Sequence, residues 1–303
     1  MKRISCKESQ RRQRGVALAF LLWMLAALSL MVAGVVSVSV TDVRATGLQL
    51  DQIKAEAAAV GAAHLALRDL RSARSEADFN PRSVFQRQYP LGESEVTVRA
   101  IPIGGFLSLN LAPAGLLQLL FEHVGKVAPG AAEALAGEVI AMRGGAVSDE
   151  DAESRFPAAV PAPFMVVEDL LRVSGMTRTV YDRVRLALHA QSGGVPGVDP
   201  LAAQGGALQA LANGDAALVD VVMNRRQEES IMDFAPPSGL SQEFLATAGG
   251  GVYCLEIDVQ VASERRLRQR IWADMGGRTG AAPWRFTRVF PIEVANPATG
   301  TSQ

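Results

Sequence analysis

Residues Arg11–Val40 read RRQRGVALAFLLWMLAALSLMVAGVVSVSV, and the abrupt change of character at Gly15 decides how the rest of the chain is read. No charged residue occurs from Gly15 to Thr41. At 1.5 Å per residue, Val16–Val40 is long enough to cross roughly 30 Å of hydrocarbon as a helix. Ahead of it, Lys2, Arg3, Lys7, Arg11, Arg12 and Arg14 face only one acidic residue, Glu8. Such a basic flank holds its end of a span in the cytoplasm, so everything after Thr41 is expected on the far side. In a Gram-negative cell that side is the periplasm.

The 303 residues carry a formal net charge of -1, so removing the basic flank leaves a mildly acidic body. That body offers no basic face for nucleic acid. Hydrophobic residues make up 49% and charged residues 20%, a balance that supports a packed core and excludes a disordered chain. The two cysteines, Cys6 and Cys254, lie on opposite sides of the Gly15 junction. They settle nothing about the redox compartment.

An ordinary secretory signal has a shorter apolar region and a small-residue cleavage site at its far end. Here the better junction lies at the near end, in Arg14-Gly15-Val16. A lone Gly between a basic run and an apolar helix resembles the leader of type IV pilins and pseudopilins. That resemblance implies a prepilin peptidase cutting between Gly15 and Val16 on the cytoplasmic side, with the apolar helix retained. Most pilins then carry Glu as the fifth mature residue, where this chain has Phe20. A buried carboxylate without a partner is costly. The absence of one resembles the minor pseudopilins of the K type, which sit at a fibre tip with no subunit above them.

Beyond Thr41 the composition turns to Ala, Leu, Glu, Gln and Arg. Leu50, Ile53, Ala57, Val60, Leu67 and Leu70 recur at helical spacing, and no Pro interrupts Val16–Arg74. The pattern predicts one helix of about 55 to 60 residues with a membrane half and a periplasmic half. Asn80–Gly92 reads as a linker on account of Pro81, Pro90 and Gly92. Alternation in Glu93–Ile103, Val252–Ala262, Leu267–Met275 and Trp284–Val294 predicts strands, and the sequence between the first two reads mostly as helix.

The expected fold is therefore α+β: a pilin-like long N-terminal helix on a small antiparallel sheet, with a large α-helical subdomain inserted in the sheet. The boundaries are 1–15 for the leader, 16–40 for the membrane part of the helix and 41–78 for its periplasmic part. The sheet takes 93–106 and 252–294, and the insertion 107–250. Within the insertion, Leu107–Leu120 (LSLNLAPAGLLQLL), Ala131–Arg143 (AAEALAGEVIAMR) and Phe164–Leu188 resemble the K family's Asn-led turn, Leu-rich helix, helix ending in Arg, and Val-Glu-Asp-Leu-Leu segment with a Gly turn.

The same helix, Gly turn, helix order at Val166–His189 is shared by helix-hairpin-helix DNA-binding modules. Gly175 stands alone there, and Arg172, Arg178, Arg183 and Arg185 are nearly cancelled by Glu168, Asp169 and Asp182, so nucleic acid is not expected as a partner.

No CxxC, HExxH, GxSxG or P-loop pattern occurs, and His64, His123 and His189 are far apart in sequence, so an enzyme is not expected. His64 reads as structural. The resemblance suggests calcium as the one cofactor, and Asp149, Glu150, Asp151 and Glu153 offer hard oxygen ligands, although a solvated acidic loop is the simpler reading of them.

The partners it implies are minor pseudopilins of the I and J types, the major pseudopilin fibre, prepilin peptidase and the inner-membrane assembly platform. The implied role is nucleation of the type II secretion pseudopilus at its tip, for export of folded proteins across the outer membrane. The alternatives are a PilX-like minor pilin of a type IV pilus and a simple membrane-anchored binding protein.

Overall fold

The structure, a computed structural model, describes residues 9–76, 79–144, 162–228, 234–247, 251–261, 265–276 and 283–295, with the side chains of 9–16 and 34–44 outside the description. The chain divides into two compact units, Met1–Ala55 and Glu56–Gln303. Helix α1 runs over Ser9–Ala73, so helical backbone already begins within the expected leader. In the first unit, all described side chains of residues 17–33 are exposed.

In the second unit, the end of α1 lies against a mixed sheet-and-helix body. The sheet contains β1 (Phe85–Leu91), β2 (Ser94–Pro102), β5 (Val252–Gln260), β6 (Arg266–Asp274), β7 (Arg285–Val289) and β8 (Glu293–Val294). Its order is β1-β2-β5-β6-β7, antiparallel throughout, and β8 also pairs with β6. The expected linker at Asn80–Gly92 thus contains a strand. Pro90 is tolerated because β1 is an edge strand, where a missing N–H leaves no ladder bond unmade. Gly92, at φ +63, turns the chain into β2. The single strand expected over Trp284–Val294 is two short ones, β7 and β8, interrupted at Phe290-Pro291-Ile292.

Register places Val96, Val98 and Ala100 opposite Val259, Ile257 and Leu255, and these opposite Leu267, Gln269 and Ile271. Alternation sends this set to one face, and all of it is buried. The end of α1 covers that face. Tyr89 donates to Asp69 Oδ2 at 3.0 Å, Arg87 pairs with the same carboxylate, and Trp284 Nε1 donates to His64 Nδ1 at 3.1 Å.

Only the C-terminal part of the expected stripe, Leu67 and Leu70, is buried, and alanines supply the rest of the buried side. Leu50, Ile53 and Val60 stay exposed, while Ala59, Ala62, Ala63, Ala66, Leu67 and Leu70 are buried. Alanines let the helix axis approach the strands closely, which a row of leucines does not permit.

On the opposite face the register sets charges against each other. Arg268 faces Asp258 at 2.6 Å, and Arg270 faces Glu256 at 2.6 Å, with Arg99 at 3.5 Å beyond it. Directly opposed cross-strand charges of unlike sign are favourable.

The described residues between β2 and β5 form a helical block with its own core, built around Leu116, Leu117, Leu120, Phe121, Leu135, Val139, Leu208 and Leu211. Its elements are β3 (Leu107–Ser108), α2 (Ala114–Leu119), α3 (Pro129–Met142), α4 (Arg178–Val184), β4 (Leu188–His189), α5 (Gly205–Leu211) and α6 (Ala216–Glu228). Four of these helix starts, those of α2, α3, α4 and α6, have a local reason. Pro113 precedes α2 and Pro129 opens α3, where a missing N–H costs nothing. Thr177 Oγ1 accepts from Val180 N at 3.3 Å to cap α4, and the Asp215 carboxylate accepts from Ala217 N at 2.9 Å to cap α6.

The Leu-rich helix expected after the Asn-led turn within Leu107–Leu120 is α2, and it is short. Leu107–Ser108 pairs as a strand with β4, Pro113 delays the helix, and after Leu119 the chain widens into a π turn over Leu120–Val124. Similarly, Val167–Arg172 is a tight 3₁₀ segment rather than an α-helix, held by the Asp169 carboxylate on Met165 N and Val166 N. Gly175 follows at φ +81, and α4 after it.

Candidate functional site

Two features of the molecule are built for contact rather than for a reaction. The first is the apolar surface of α1. Phe20 is 61% exposed and Trp23 70%, alongside Leu18, Leu21, Leu22, Leu25, Leu28, Leu30 and Met31. A soluble chain does not leave so many large apolar side chains in water, since covering each stabilises by about 1.5–3 kcal/mol. A continuous patch of this kind marks a surface that something else covers. Among the described residues no helix is long and apolar enough to cross a membrane. The expected span Val16–Val40 has its side chains described only over 17–33.

The second feature is the joint by which the helical block is fixed to the sheet. Asp199, 1% exposed, accepts from Arg82 Nε at 2.7 Å and Nη2 at 3.0 Å, and from Leu201 N at 3.0 Å. Its own N–H donates to Gly104 O at 2.7 Å. From α6, Arg226 reaches the same corner and donates to Pro200 O from Nε at 2.9 Å and from Nη2. Burial pushes its guanidinium down to about 10, with Asp199 opposing that fall. Arg99 on β2 donates to Gln204 Oε1 at 2.9 Å, and Arg288 on β7 pairs with Glu168 at 2.8 Å. His189 lies against Trp272 of β6, ring centres 5.8 Å apart.

Inside the block, two motifs picked out by sequence meet. The Asn110 side chain exchanges hydrogen bonds with both backbone groups of Phe164, at 2.9 and 2.8 Å. Arg143, at the end of α3, donates to Leu109 O and Ala112 O, each at 2.8 Å, and so clamps the turn around Asn110. Burial lowers the pKa of this guanidinium. The Asn-led turn and the helix ending in Arg are therefore halves of one clamp.

Gly15 and Val16 lie within α1, but their side chains fall outside the description. Phe20 is in the exposed apolar run, and Asp149, Glu150, Asp151 and Glu153 lie outside the described residues. Among the described residues no group of three or more His, Cys, Asp or Glu is placed to hold a metal ion. The three histidines stay apart: His64 under Trp284 and Phe286, His123 beside Gly214, His189 at the joint. Cys254 is buried, and burial raises its thiol pKa.

Sequence reasoning missed the Arg82–Asp199 pair and Arg226. The available signal was a lone Asp between Val198 and Pro200 in an otherwise apolar segment, since an acidic residue in such a setting calls for a cationic partner.

A long N-terminal helix whose end is laid on an antiparallel sheet, with a helical block between the sheet's second and third strands in sequence, defines a pseudopilin-like fold. The chain is similar in structure to a chain of the GspK-GspI-GspJ complex from the enterotoxigenic Escherichia coli type 2 secretion system. That match has a TM-score of 0.52 at 17% sequence identity and covers 83% of this chain and 99% of the other. No family model and no curated protein matches the sequence.

Proposed function

We propose that this chain is a minor pseudopilin of the K type, placed at the tip of a type II secretion pseudopilus, where it nucleates the fibre that takes part in exporting folded proteins. The observation that carries this reading is the helical block set into a pilin-like frame, an arrangement similar to that of the secretion-system structure. A block of this width conflicts sterically with repeated stacking along a fibre, which favours a terminal position. The exposed apolar surface of α1 is the part that enters the bilayer and packs among neighbouring subunits.

In this reading, prepilin peptidase cuts between Gly15 and Val16. The head lies in the periplasm, and Phe20 replaces the carboxylate that other subunits direct at a neighbour's amine. I-type and J-type minor pseudopilins, the major pseudopilin and the assembly platform are the partners. Calcium, if bound in the head, uses Asp149, Glu150, Asp151 and Glu153. The role is structural rather than enzymatic.

The test is deletion of the gene in its own host, with secretion and surface piliation both measured and the tagged chain purified from membranes. The reading requires loss of exoprotein secretion, intact pili, and co-purification of two further small pilin-like subunits. Loss of pili with secretion unaffected identifies a minor pilin of a type IV pilus instead.

A further inference from the structure

His189 is a buried histidine at the joint between the helical block and the sheet. It is 1% exposed and packed against Trp272 of β6. On the block side its backbone closes the β3–β4 pairing, with Ser108 opposite it and Leu109 N donating to His189 O at 2.9 Å. Gly194 seals a third side. A Cβ there would stand 2.6 Å from His189 Cε1 and 2.9 Å from Nε2, so only glycine fits.

The hydrogen bonding fixes the protonation state. Nδ1 accepts from Gln191 N at 3.2 Å, which leaves the neutral ring's proton on Nε2. Nε2 has no partner among the described residues, and neither has Ser108 Oγ on the paired strand. A second proton must therefore go to Nδ1, where it meets the Gln191 N–H head on.

Nor, among the described residues packed against the ring, is a free counter-charge at hand. The sheet face beside Trp272 carries Cys254 across the strand pair, then Arg270 with Glu256, and Arg288 with Glu168. Both carboxylates are already held by arginines. β3 offers Ser108, and the loop after β4 offers Gly194.

We propose that His189 is an acid-sensitive catch: protonating it opens the joint between the helical block and the sheet, while the core of each is retained. Burial, partly offset by the Gln191 bond, holds the imidazole down at about 4, so the catch is closed near neutrality. The block and the sheet can separate because the block has its own large apolar cluster, whereas the joint's cluster is the small set Ile101, Ile103, Phe106, Cys254 and Trp272. The inference stands whichever assembly the chain serves.

The experiment follows hydrogen exchange of the full-length, detergent-solubilised protein from about pH 7.5 to about pH 4, corrected for intrinsic rates, together with carbon-13 NMR of ring-labelled histidines. Residues 107–109, 188–191 and 270–273 should lose protection by about tenfold as His189 titrates, while α3 and the centre of β5 remain protected. In His189→Gln, which keeps a side-chain acceptor but cannot be protonated, protection at the joint should not change with pH. If that variant does not fold, the coincidence of the His189 titration with loss of protection in the natural protein decides. The proposal is overturned if His189→Gln opens over the same pH range, if His189 titrates without loss of protection at the joint, or if every region opens together.

Discussion

Arg82 and Asp199, 117 residues apart in sequence, form a two-pronged ion pair at 2.7 and 3.0 Å in which the carboxylate is almost wholly buried and the guanidinium is not. The asymmetry sets the consequences of mutation. Arg82→Ala leaves a buried carboxylate short of its main partner and should destabilise the full-length chain by about 3 kcal/mol. Arg82→Lys keeps the charge but loses the two-pronged geometry and should cost about half of that. Chemical denaturation, followed by tryptophan fluorescence, distinguishes the two.

All three tyrosines are shifted in one direction. Burial pushes Tyr89 up to about 12, helped by the Asp69 carboxylate that its hydroxyl serves. Burial also raises Tyr181, helped by Glu168, and Tyr253, against the pull of Arg74. A folded pKa above the unfolded one favours the neutral phenol in the native state. The contribution to stability is then complete below about pH 10 and is lost as pH rises through the folded value. Alkaline difference absorbance of the native protein should show no tyrosine ionising near 10, and unfolded protein should show all three there.

Two glycines should respond in opposite ways to the same change. A Cβ on Gly105 would lie 2.5 Å from the Ala202 carbonyl oxygen, a backbone atom. Gly105→Ala should therefore destabilise by about 1–3 kcal/mol. Gly137 is exposed in the interior of α3, with nothing within 4 Å of its Cβ position. Gly137→Ala should stabilise by about 1 kcal/mol, because alanine has less backbone freedom to lose in a helix. Thermal unfolding of the two variants side by side gives both signs.

The alanine face of α1 makes a further prediction. Ala63 is fully buried, whereas Val60, one turn earlier, is exposed. Ala63→Leu should force the helix off the sheet and cost about 1–3 kcal/mol, while Val60→Leu should change stability by less than about 0.5 kcal/mol. Urea midpoints for the two variants check the pair.

These same elements show what the sequence made legible. The strands β2, β5 and β6 were readable because one face of each is buried and the other carries charge, which produces strict alternation. β1 was not, because an edge strand tolerates Pro90 and its residues Gln86, Arg87 and Gln88 are largely exposed. The long helix was plain from its composition, and Leu67 and Leu70 are buried as their spacing implied, but the earlier members of that stripe are not. Large apolar residues such as Leu50 and Ile53 imply burial only when the chain buries them itself, and here they face outward. The clamp of Asn110 and Arg143 was sensed as two separate motifs. Its geometry, like that of Arg82 with Asp199 and His64 with Trp284, joins residues too far apart in sequence for spacing to reveal.

The central claim, that the chain is a processed pilin-class subunit, is tested most directly by the N-terminal residue of the protein purified from cells with and without prepilin peptidase, read by intact mass and peptide mapping. The account predicts Val16 at the N-terminus in the first case and the uncut leader in the second. An uncut leader in both, or an N-terminus beyond Val40, would contradict it.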